Sequence, residues 1–244
     1  MILDEILPDL RDEYRQLDQI LRGLSEAQWQ AGSDAGGWTV CDVIVHLALT
    51  EERVVTTLAE ASTEWTSLDR SVDELMNDDV RQNQSAPAYV LTRWRDATTR
   101  SLTALAEADP DMTVSWAAAP LRPATLATTR LAEHWAHALD VAVPLRLDYP
   151  DTSRLRHIAW LAHATLPYAC SLHGLEPQAV RVELVGPNAE RWIYGPDDAS
   201  SVIAGDAGAF CRVGARRLAP SDSGLFTSGP FADQALNVLR TYAA

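Results

Sequence analysis

Residues 36–52 read GGWTVCDVIVHLALTEE, and residues 130–145 read RLAEHWAHALDVAVPL. In both stretches apolar residues recur at intervals of three and four, which is typical of a helix with one apolar face. Thr39 can cap the first of these helices, and Pro144 ends the second. Because each apolar face must be buried against another element, the two stretches predict helices that pack together.

The same periodicity predicts further helices along the chain. Five are expected, at about residues 3–23, 39–61, 85–105, 124–143 and 153–173. Ser85 is the expected cap of the third, and the polar stretch 62–83 receives no assignment. Four long helices joined by loops fit an antiparallel bundle better than any sheet architecture.

The pattern changes after the fifth helix. Two strands and two short helices are expected, at about residues 179–185, 191–194, 206–216 and 230–242. Turn residues at 186–188 join the two strands into a hairpin. The predicted fold class is therefore α+β: an antiparallel four-helix bundle over residues 1–148, followed by a small α+β domain over residues 149–244.

The composition argues against several classes of function. A net charge of -14 without a basic stripe argues against nucleic acid as a partner. The acidic start of the chain and the lack of a long apolar run indicate a cytoplasmic protein with no membrane partner. The sequence leaves open whether it is a monomer or a homodimer. The three cysteines have no metal-binding spacing, and every basic residue is Arg, so lysine chemistry is excluded.

Three residues in the two quoted stretches have the chemistry of metal ligands. Glu133 and His137 are four residues apart, which sets both side chains on one face of a helix. His46 lies on the apolar stripe of the other helix, and bundles build metal sites from facing helices. Two imidazoles and one carboxylate suit zinc and leave a fourth position open, as in catalytic sites. On spacing alone, a surface ion pair and a core histidine remain the simpler interpretation.

Three neighbouring residues have less distinct roles. His134 points about 100° away from Glu133 around the helix, which favours a surface or supporting role over ligation. Asp140 is placed to orient the imidazole of His137, although a carboxylate on the helix surface is the simpler interpretation. Cys41 is predicted to be a packing residue rather than a reactive thiol.

The two quoted stretches resemble motifs of the DinB-like metal-binding superfamily and, more narrowly, of the mycothiol-dependent maleylpyruvate isomerase family. Trp38, Thr39 and Val40 match the start of the first motif, which carries the ligand His46, and Glu133 and His137 match the second. The segments WIYGP, VIAGDAGAFCRVGARR and GPFADQAL resemble the family's sterol-carrier-like C-terminal domain. The resemblance thus covers most of the chain.

The resemblance implies a specific chemistry. In that family a bound metal, usually zinc, holds the sulfur of a thiol such as mycothiol as a thiolate. The thiolate adds to the conjugated double bond of a small substrate, allows rotation and leaves, and other members transfer the thiol. An arginine of the C-terminal domain is expected to hold the substrate carboxylate or the thiol. Arg216 and Arg217 are adjacent candidates, and the sequence does not choose between them.

Two other functions remain open from the sequence. The chain could be a non-catalytic, metal-containing protein that binds a small molecule, or a hydrolase that activates a metal-bound water. An open fourth coordination position would favour an enzyme, and a closed one would favour the binding protein.

Overall fold

The computed structural model describes residues 3–60, 71–117 and 119–242. The chain divides into two compact units, Met1–Tyr149 with Ala243–Ala244, and Pro150–Tyr242. The fold is a mixture of helices and sheet, as the sequence predicts. None of the helices in the described ranges is both long and apolar enough to cross a membrane.

The described part of the first unit is built from helices. These are α1 (Leu3–Leu21), α2 (Glu26–Trp29), α3 (Val40–Glu60), α4 (Val72–Gln82), α5 (Pro87–Glu107) and α6 (Pro123–Ala142). Helices α1 and α3 each pack against both α5 and α6. The residues between them form an apolar core that includes Leu10, Leu17, Ile44, Leu47, Trp94 and Leu131. The predicted long helices of this region are therefore confirmed.

The start of α3 follows the predicted capping pattern. The backbone N–H of Thr39 donates to Asp42 Oδ2 at 3.0 Å, and the N–H of Asp42 donates to Thr39 Oγ1 at 3.1 Å. This reciprocal pair satisfies two N–H groups that have no partner within the helix. It fixes the first turn of the helix that carries His46.

The start of α5 differs from the prediction. Ser85 does not cap the helix: Ala86 occupies the cap position without a side-chain hydrogen bond, and Pro87 begins the first turn. A proline there already has the helical φ angle and lacks an N–H, so the helix begins without a side-chain acceptor.

Two short helices of the first unit are absent from the prediction. Helix α2 starts at a capping box of Ser25 and Gln28, and α4 starts at one of Ser71 and Glu74. Helix α4 accounts for residues 72–82, which lie in the stretch without a predicted structure. Residues 61–70 lie outside the described part of the chain. Both capping boxes are readable in the sequence as a serine followed three residues later by Gln or Glu.

The second unit packs helices on a small sheet. Its elements are α7 (Leu155–Ala164), α8 (Leu166–Leu172), β1 (Val180–Val185), β2 (Arg191–Tyr194), β3 (Ser201–Asp206), α9 (Ala207–Gly214), a 3₁₀ turn (Pro220–Asp222), β4 (Phe226–Ser228) and α10 (Ala232–Val238). The strand order is β2-β1-β3-β4. The predicted hairpin of β1 and β2 is confirmed, and β3 runs parallel to β1 with β4 antiparallel on its other side.

Three details of this unit differ from the sequence prediction. The single helix expected over residues 153–173 is two helices that meet at Thr165, because Pro167 cannot donate the hydrogen bond that would continue the first. Strands β3 and β4 are absent from the sequence prediction. Gly205 interrupts the strand pattern of β3, and β4, with three residues, is too short to show an alternating pattern. The last helix, α10, is shorter than predicted.

Candidate metal centre

His46, Glu133 and His137 come together between α3 and α6. Their donor atoms all lie within 4.8 Å of one another. Oε2 of Glu133 is 3.6 Å from Nε2 of His46 and 3.5 Å from Nε2 of His137. A tetrahedral ion with bonds of about 2.0–2.1 Å separates its ligand atoms by about 3.3–3.4 Å. The three residues therefore fit a single divalent ion in both chemistry and spacing.

Asp140 orients the imidazole of His137. Nδ1 of His137 donates a hydrogen bond to Asp140 Oδ2 at 2.9 Å, so Nε2 is the atom left facing Glu133. Asp140 is 1% exposed, and its carbonyl oxygen accepts the N–H of Asp34. The interpretation of Asp140 as a surface carboxylate is therefore wrong, and it has the position of a group that supports a metal ligand.

Trp38 covers the two imidazoles from the loop before α3. Its ring lies 5.1 Å from that of His46 and is stacked 6.2 Å from that of His137, measured between ring centres. The indole N–H donates to Oδ1 of Asn77 on α4 at 2.8 Å. Helix α4 therefore fixes the aromatic cover of the centre, a role for Asn77 that no sequence signal indicates.

Burial and charge set the protonation states of the three residues. Burial lowers the pKa of His46 to about 4, despite the opposing effect of Glu133. Burial acts to raise the pKa of Glu133, but hydrogen bonds with His137 and His46 outweigh it and hold that pKa well below its usual value. A neutral imidazole and an ionised carboxylate are the forms that bind a metal.

His137 is tuned in the opposite direction. Burial acts to lower its pKa, but the hydrogen bonds to Asp140 and Glu133 outweigh burial, so the pKa is raised above the ordinary value for histidine. A metal that binds at this position must displace the proton on Nε2. The centre without metal is thus a carboxylate held between one neutral and one readily protonated imidazole.

A buried ion pair lies about one helical turn from the three residues of the candidate centre. Nε of Arg130, on α6, donates to Glu51 Oε1, on α3, at 2.7 Å, and Nη2 donates to Thr50 Oγ1 at 2.7 Å. The side chains of the pair are 3% and 0% exposed. The residues are 79 positions apart, so no sequence motif marks them, although Glu51 lies on the buried stripe of its helix, four residues after Leu47.

His134 belongs to the same buried region. Its Nε2 accepts the indole N–H of Trp94 at 3.1 Å, which leaves Nδ1 to donate to the carbonyl oxygen of Arg130 at 2.9 Å. The residue is fully buried, so of the two roles predicted for it the surface role is wrong and the supporting role fits its contacts. Both ring nitrogens have partners, and the side chain supports α6 rather than binding a ligand.

The two candidate arginines lie in the second unit, beyond the end of α9. Arg216 has a left-handed backbone with φ of 61°, and its Nη1 donates to the carbonyl oxygen of Asn237 at 3.0 Å. The N–H of Arg217 closes the helix end on the carbonyl oxygen of Arg212, and Nη1 of its half-buried side chain donates to the carbonyl oxygen of Ala215 at 2.6 Å. The hydrogen bond and backbone of Arg216 are those of a residue that ends the helix.

The cysteines do not add a reactive thiol to the centre. All three are free and buried. Burial, with the nearby charge of Asp42, raises the pKa of Cys41 to about 11, so its thiol stays protonated at neutral pH. The prediction that Cys41 is a packing residue is confirmed.

The chain is similar to known proteins over most of its length. The family model of the mycothiol maleylpyruvate isomerase N-terminal domain matches residues 10–142, which include the three residues of the centre. Two uncharacterised proteins from two strains of Mycobacterium tuberculosis are each 33% identical over 241 residues, covering 96% of this chain and 94% of the relative.

The chain is also similar in fold to solved structures. The crystal structure of a mycothiol-dependent maleylpyruvate isomerase is 20% identical with a TM-score of 0.64, and that of a mutant is 17% identical with a TM-score of 0.63. Each comparison covers 94% of this chain and 97% of the other. The likeness in fold therefore extends through both units.

Proposed function

Since this chain belongs to the mycothiol maleylpyruvate isomerase family, we propose that it is a metal-dependent enzyme that uses a low-molecular-weight thiol such as mycothiol. His46, Glu133 and His137 would hold one divalent ion, with zinc the best match to two imidazoles and a carboxylate. The reaction is isomerisation of a small electrophilic substrate, or transfer of the thiol to it.

The spacing of the three donor atoms carries this proposal. A carboxylate oxygen lies 3.6 and 3.5 Å from two imidazole nitrogens, which is close to the separation of ligands around one ion. A surface ion pair would not account for the burial of His46, which is 7% exposed. Three protein ligands also leave a coordination position for a fourth, as in catalytic zinc sites.

The chain's own residues prepare the centre for a thiol. When bound, the ion lowers the pKa of a coordinated thiol enough to supply a nucleophile at neutral pH. Asp140 keeps the proton of His137 on Nδ1 and so keeps Nε2 available. Trp38 covers the imidazoles, whereas the Glu133 side chain is 26% exposed, against 9% for His46 and 12% for His137. The thiol therefore approaches on the Glu133 side.

The substrate is proposed to be a small carboxylate, held by an arginine of the second unit. Guanidinium binds carboxylate through two parallel hydrogen bonds. Arg217 and Arg216 are both candidates, because Nη1 of each donates to a backbone carbonyl oxygen, that of Ala215 and that of Asn237 respectively. An acidic protein needs such a local cation to bind an anionic substrate.

We propose the finer description of the fold and setting on the same basis. Residues 1–148 form a DinB-like antiparallel four-helix bundle, supported by the contacts of α1 and α3 with α5 and α6. Residues 149–244 form a sterol-carrier-like domain. The protein works in the cytoplasm as a monomer or homodimer, without nucleic acid or membrane as a partner.

Calorimetry of thiol binding tests the function. Mycothiol titrated into zinc-loaded protein should bind and release about one proton, counted from measurements in two buffers of different ionisation enthalpy. S-methylated mycothiol, which cannot form a thiolate, is the control and should bind far more weakly. Fully zinc-loaded protein that binds neither mycothiol nor another cellular thiol would rule out thiol activation.

A further inference from the structure

We propose that Arg130 is a positioning residue for the metal centre. Its buried ion pair with Glu51 sets the register of α3 against α6, and so the distance of His46 from Glu133 and His137. The inference rests on the proposed function only in that it takes these three residues as metal ligands. It assigns a role to a pair that touches none of the donor atoms.

A short chain of hydrogen bonds leads from Arg130 to the backbone of His46. Nη2 of Arg130 donates to Oγ1 of Thr50 at 2.7 Å, and the Thr50 hydroxyl donates to the carbonyl oxygen of His46 at 3.0 Å. Thr50 is buried, so water does not compete for these bonds. An arginine of one helix therefore holds the ligand-bearing turn of the other.

Arg130 is itself fixed on α6. It lies one turn before Glu133, and its carbonyl oxygen accepts the Nδ1–H of His134, whose other nitrogen accepts from Trp94 on α5. The ring of Trp116 lies 5.9 Å from the guanidinium carbon. Because its backbone and its guanidinium are both held, a shift of α3 along α6 would break the ion pair before the helices could separate.

Stability alone does not explain this pair. Two charges buried at 3% and 0% exposure lose most of their hydration, and such pairs are often no more stabilising than well-packed apolar residues. Apolar side chains would fill the same space in several registers. The directional bonds of Arg130 permit one register, and a metal centre needs donor atoms placed to within about 0.2 Å.

The next residue of α3 provides a matched control. Glu52 forms a bidentate pair with Arg93 of α5, with both oxygen–nitrogen distances 2.8 Å. This pair joins α3 to a helix that carries none of the three ligands. Its removal deletes the same two residue types from the same turn and leaves the contact between α3 and α6 intact.

The test compares two charge-neutral double variants, Glu51→Leu with Arg130→Met, and Glu52→Leu with Arg93→Met. Co²⁺ affinity is measured by competition with a chromophoric chelator, the visible Co²⁺ spectrum is recorded, and thermal unfolding is followed in EDTA. The first variant should keep the wild-type unfolding temperature, lose roughly 10- to 100-fold in Co²⁺ affinity and show an altered spectrum. The Co²⁺ affinity of the control variant should stay within about twofold of the wild-type affinity, as expected for a pair remote from the proposed ligands.

A folded first variant with wild-type Co²⁺ affinity and spectrum would overturn the positioning role. Absence of Co²⁺ binding by the wild type would overturn the metal centre, and the positioning role with it. If the first variant does not fold, Thr50→Val and Thr50→Ser decide. The hydrogen-bond chain is supported if Thr50→Val, which lacks the hydroxyl, loses Co²⁺ affinity and Thr50→Ser, which keeps it, does not. Equal Co²⁺ affinity in the two variants refutes it.

Discussion

The carboxylate of Asp140 accepts the Nδ1–H of His137 at 2.9 Å, one helical turn beyond the residue that it orients. Both residues lie on α6, so the geometry of the helix sets this distance. The bond fixes which nitrogen of His137 faces Glu133, and it raises the pKa of the imidazole. The same contact therefore has two opposing effects on metal binding: the fixed ring orientation favours it, and the raised pKa of His137 disfavours it.

Asp140→Asn should therefore change zinc binding in two separable ways. At neutral pH the affinity should fall roughly 10-fold, because the ring orientation is less well fixed. The loss of zinc on acidification should move to lower pH, because the pKa of His137 falls when the carboxylate charge is removed. Competition titrations from pH 8 to pH 5 measure both. A lower affinity with an unchanged pH midpoint would mean that Asp140 acts only on packing.

Substitution of the proposed ligands should remove the metal. Purified wild-type protein should contain about one equivalent of zinc or a similar divalent ion, and His46→Ala, His137→Ala and Glu133→Gln should each contain little, with the helical circular dichroism retained. His173→Ala, at an exposed histidine of the second unit, is the control and should keep its metal. Stoichiometric metal at unchanged affinity in the ligand variants would refute the assignment.

The buried histidine beside the ion pair should make the metal-free protein sensitive to acid. Burial lowers the pKa of His134 from 6.5 to about 4 in the folded protein. Between those pH values the unfolded chain binds more protons at this position, so the contribution of His134 to the free energy of unfolding falls as the pH drops, by roughly 3 kcal/mol. His46, whose pKa is also about 4, adds a fall of the same sign. Protonation would also end the ability of Nε2 to accept the hydrogen bond from Trp94.

Urea unfolding in EDTA, from pH 7 to pH 4.5, measures this dependence. His134→Asn should have a flatter profile than the wild type, although its stability at pH 7 is lower because the Trp94 N–H loses its acceptor. His173→Asn, the same substitution at an exposed histidine, is the control. Parallel profiles for the wild type and His134→Asn would show that His134 is not the group that titrates.

Arg217→Ala should impair turnover of an anionic substrate by at least tenfold without loss of metal, because it removes a charge-assisted hydrogen-bonding partner. Arg216→Ala is the parallel test, and it should have the same effect if Arg216 is the residue that holds the substrate. Both side chains also donate to backbone carbonyl oxygens, so the stability of each variant is measured as well. Metal content, thermal unfolding and steady-state kinetics with maleylpyruvate and mycothiol separate the two effects. Normal turnover in both variants would exclude an arginine role at this position.

The sequence is informative about the candidate centre because its three residues lie in local patterns. The spacing of Glu133 and His137 on one helix, and the place of His46 on an apolar stripe, are visible without a structure. The helix starts at Ser25 and Ser71 are equally local, and their capping boxes could have been read in the same way. A capping box is read from four consecutive residues, and helical periodicity from a window of about 11–18 residues.

The supporting contacts could not be predicted because they depend on how helices meet. Arg130 and Glu51 become partners only when α3 and α6 take one particular register, and Trp38 finds Asn77 only after α4 has packed. Asp140 illustrates the same limit, since its spacing from His137 does not decide whether its carboxylate faces solvent or the imidazole. Periodicity identifies which face of a helix is buried, but the neighbour on that face is a property of the tertiary structure.

Trp38 lies where its fluorescence can report on the state of the two imidazoles. The indole touches both imidazoles and is only half-buried, while Trp94 and Trp135 lie in the core. A protonated imidazole in contact with an excited indole accepts an electron and quenches its emission, whereas a zinc-bound imidazole cannot be protonated. Metal binding at the proposed centre is therefore expected to alter the intrinsic fluorescence, which would allow metal exchange to be followed in unlabelled protein on the timescale of mixing.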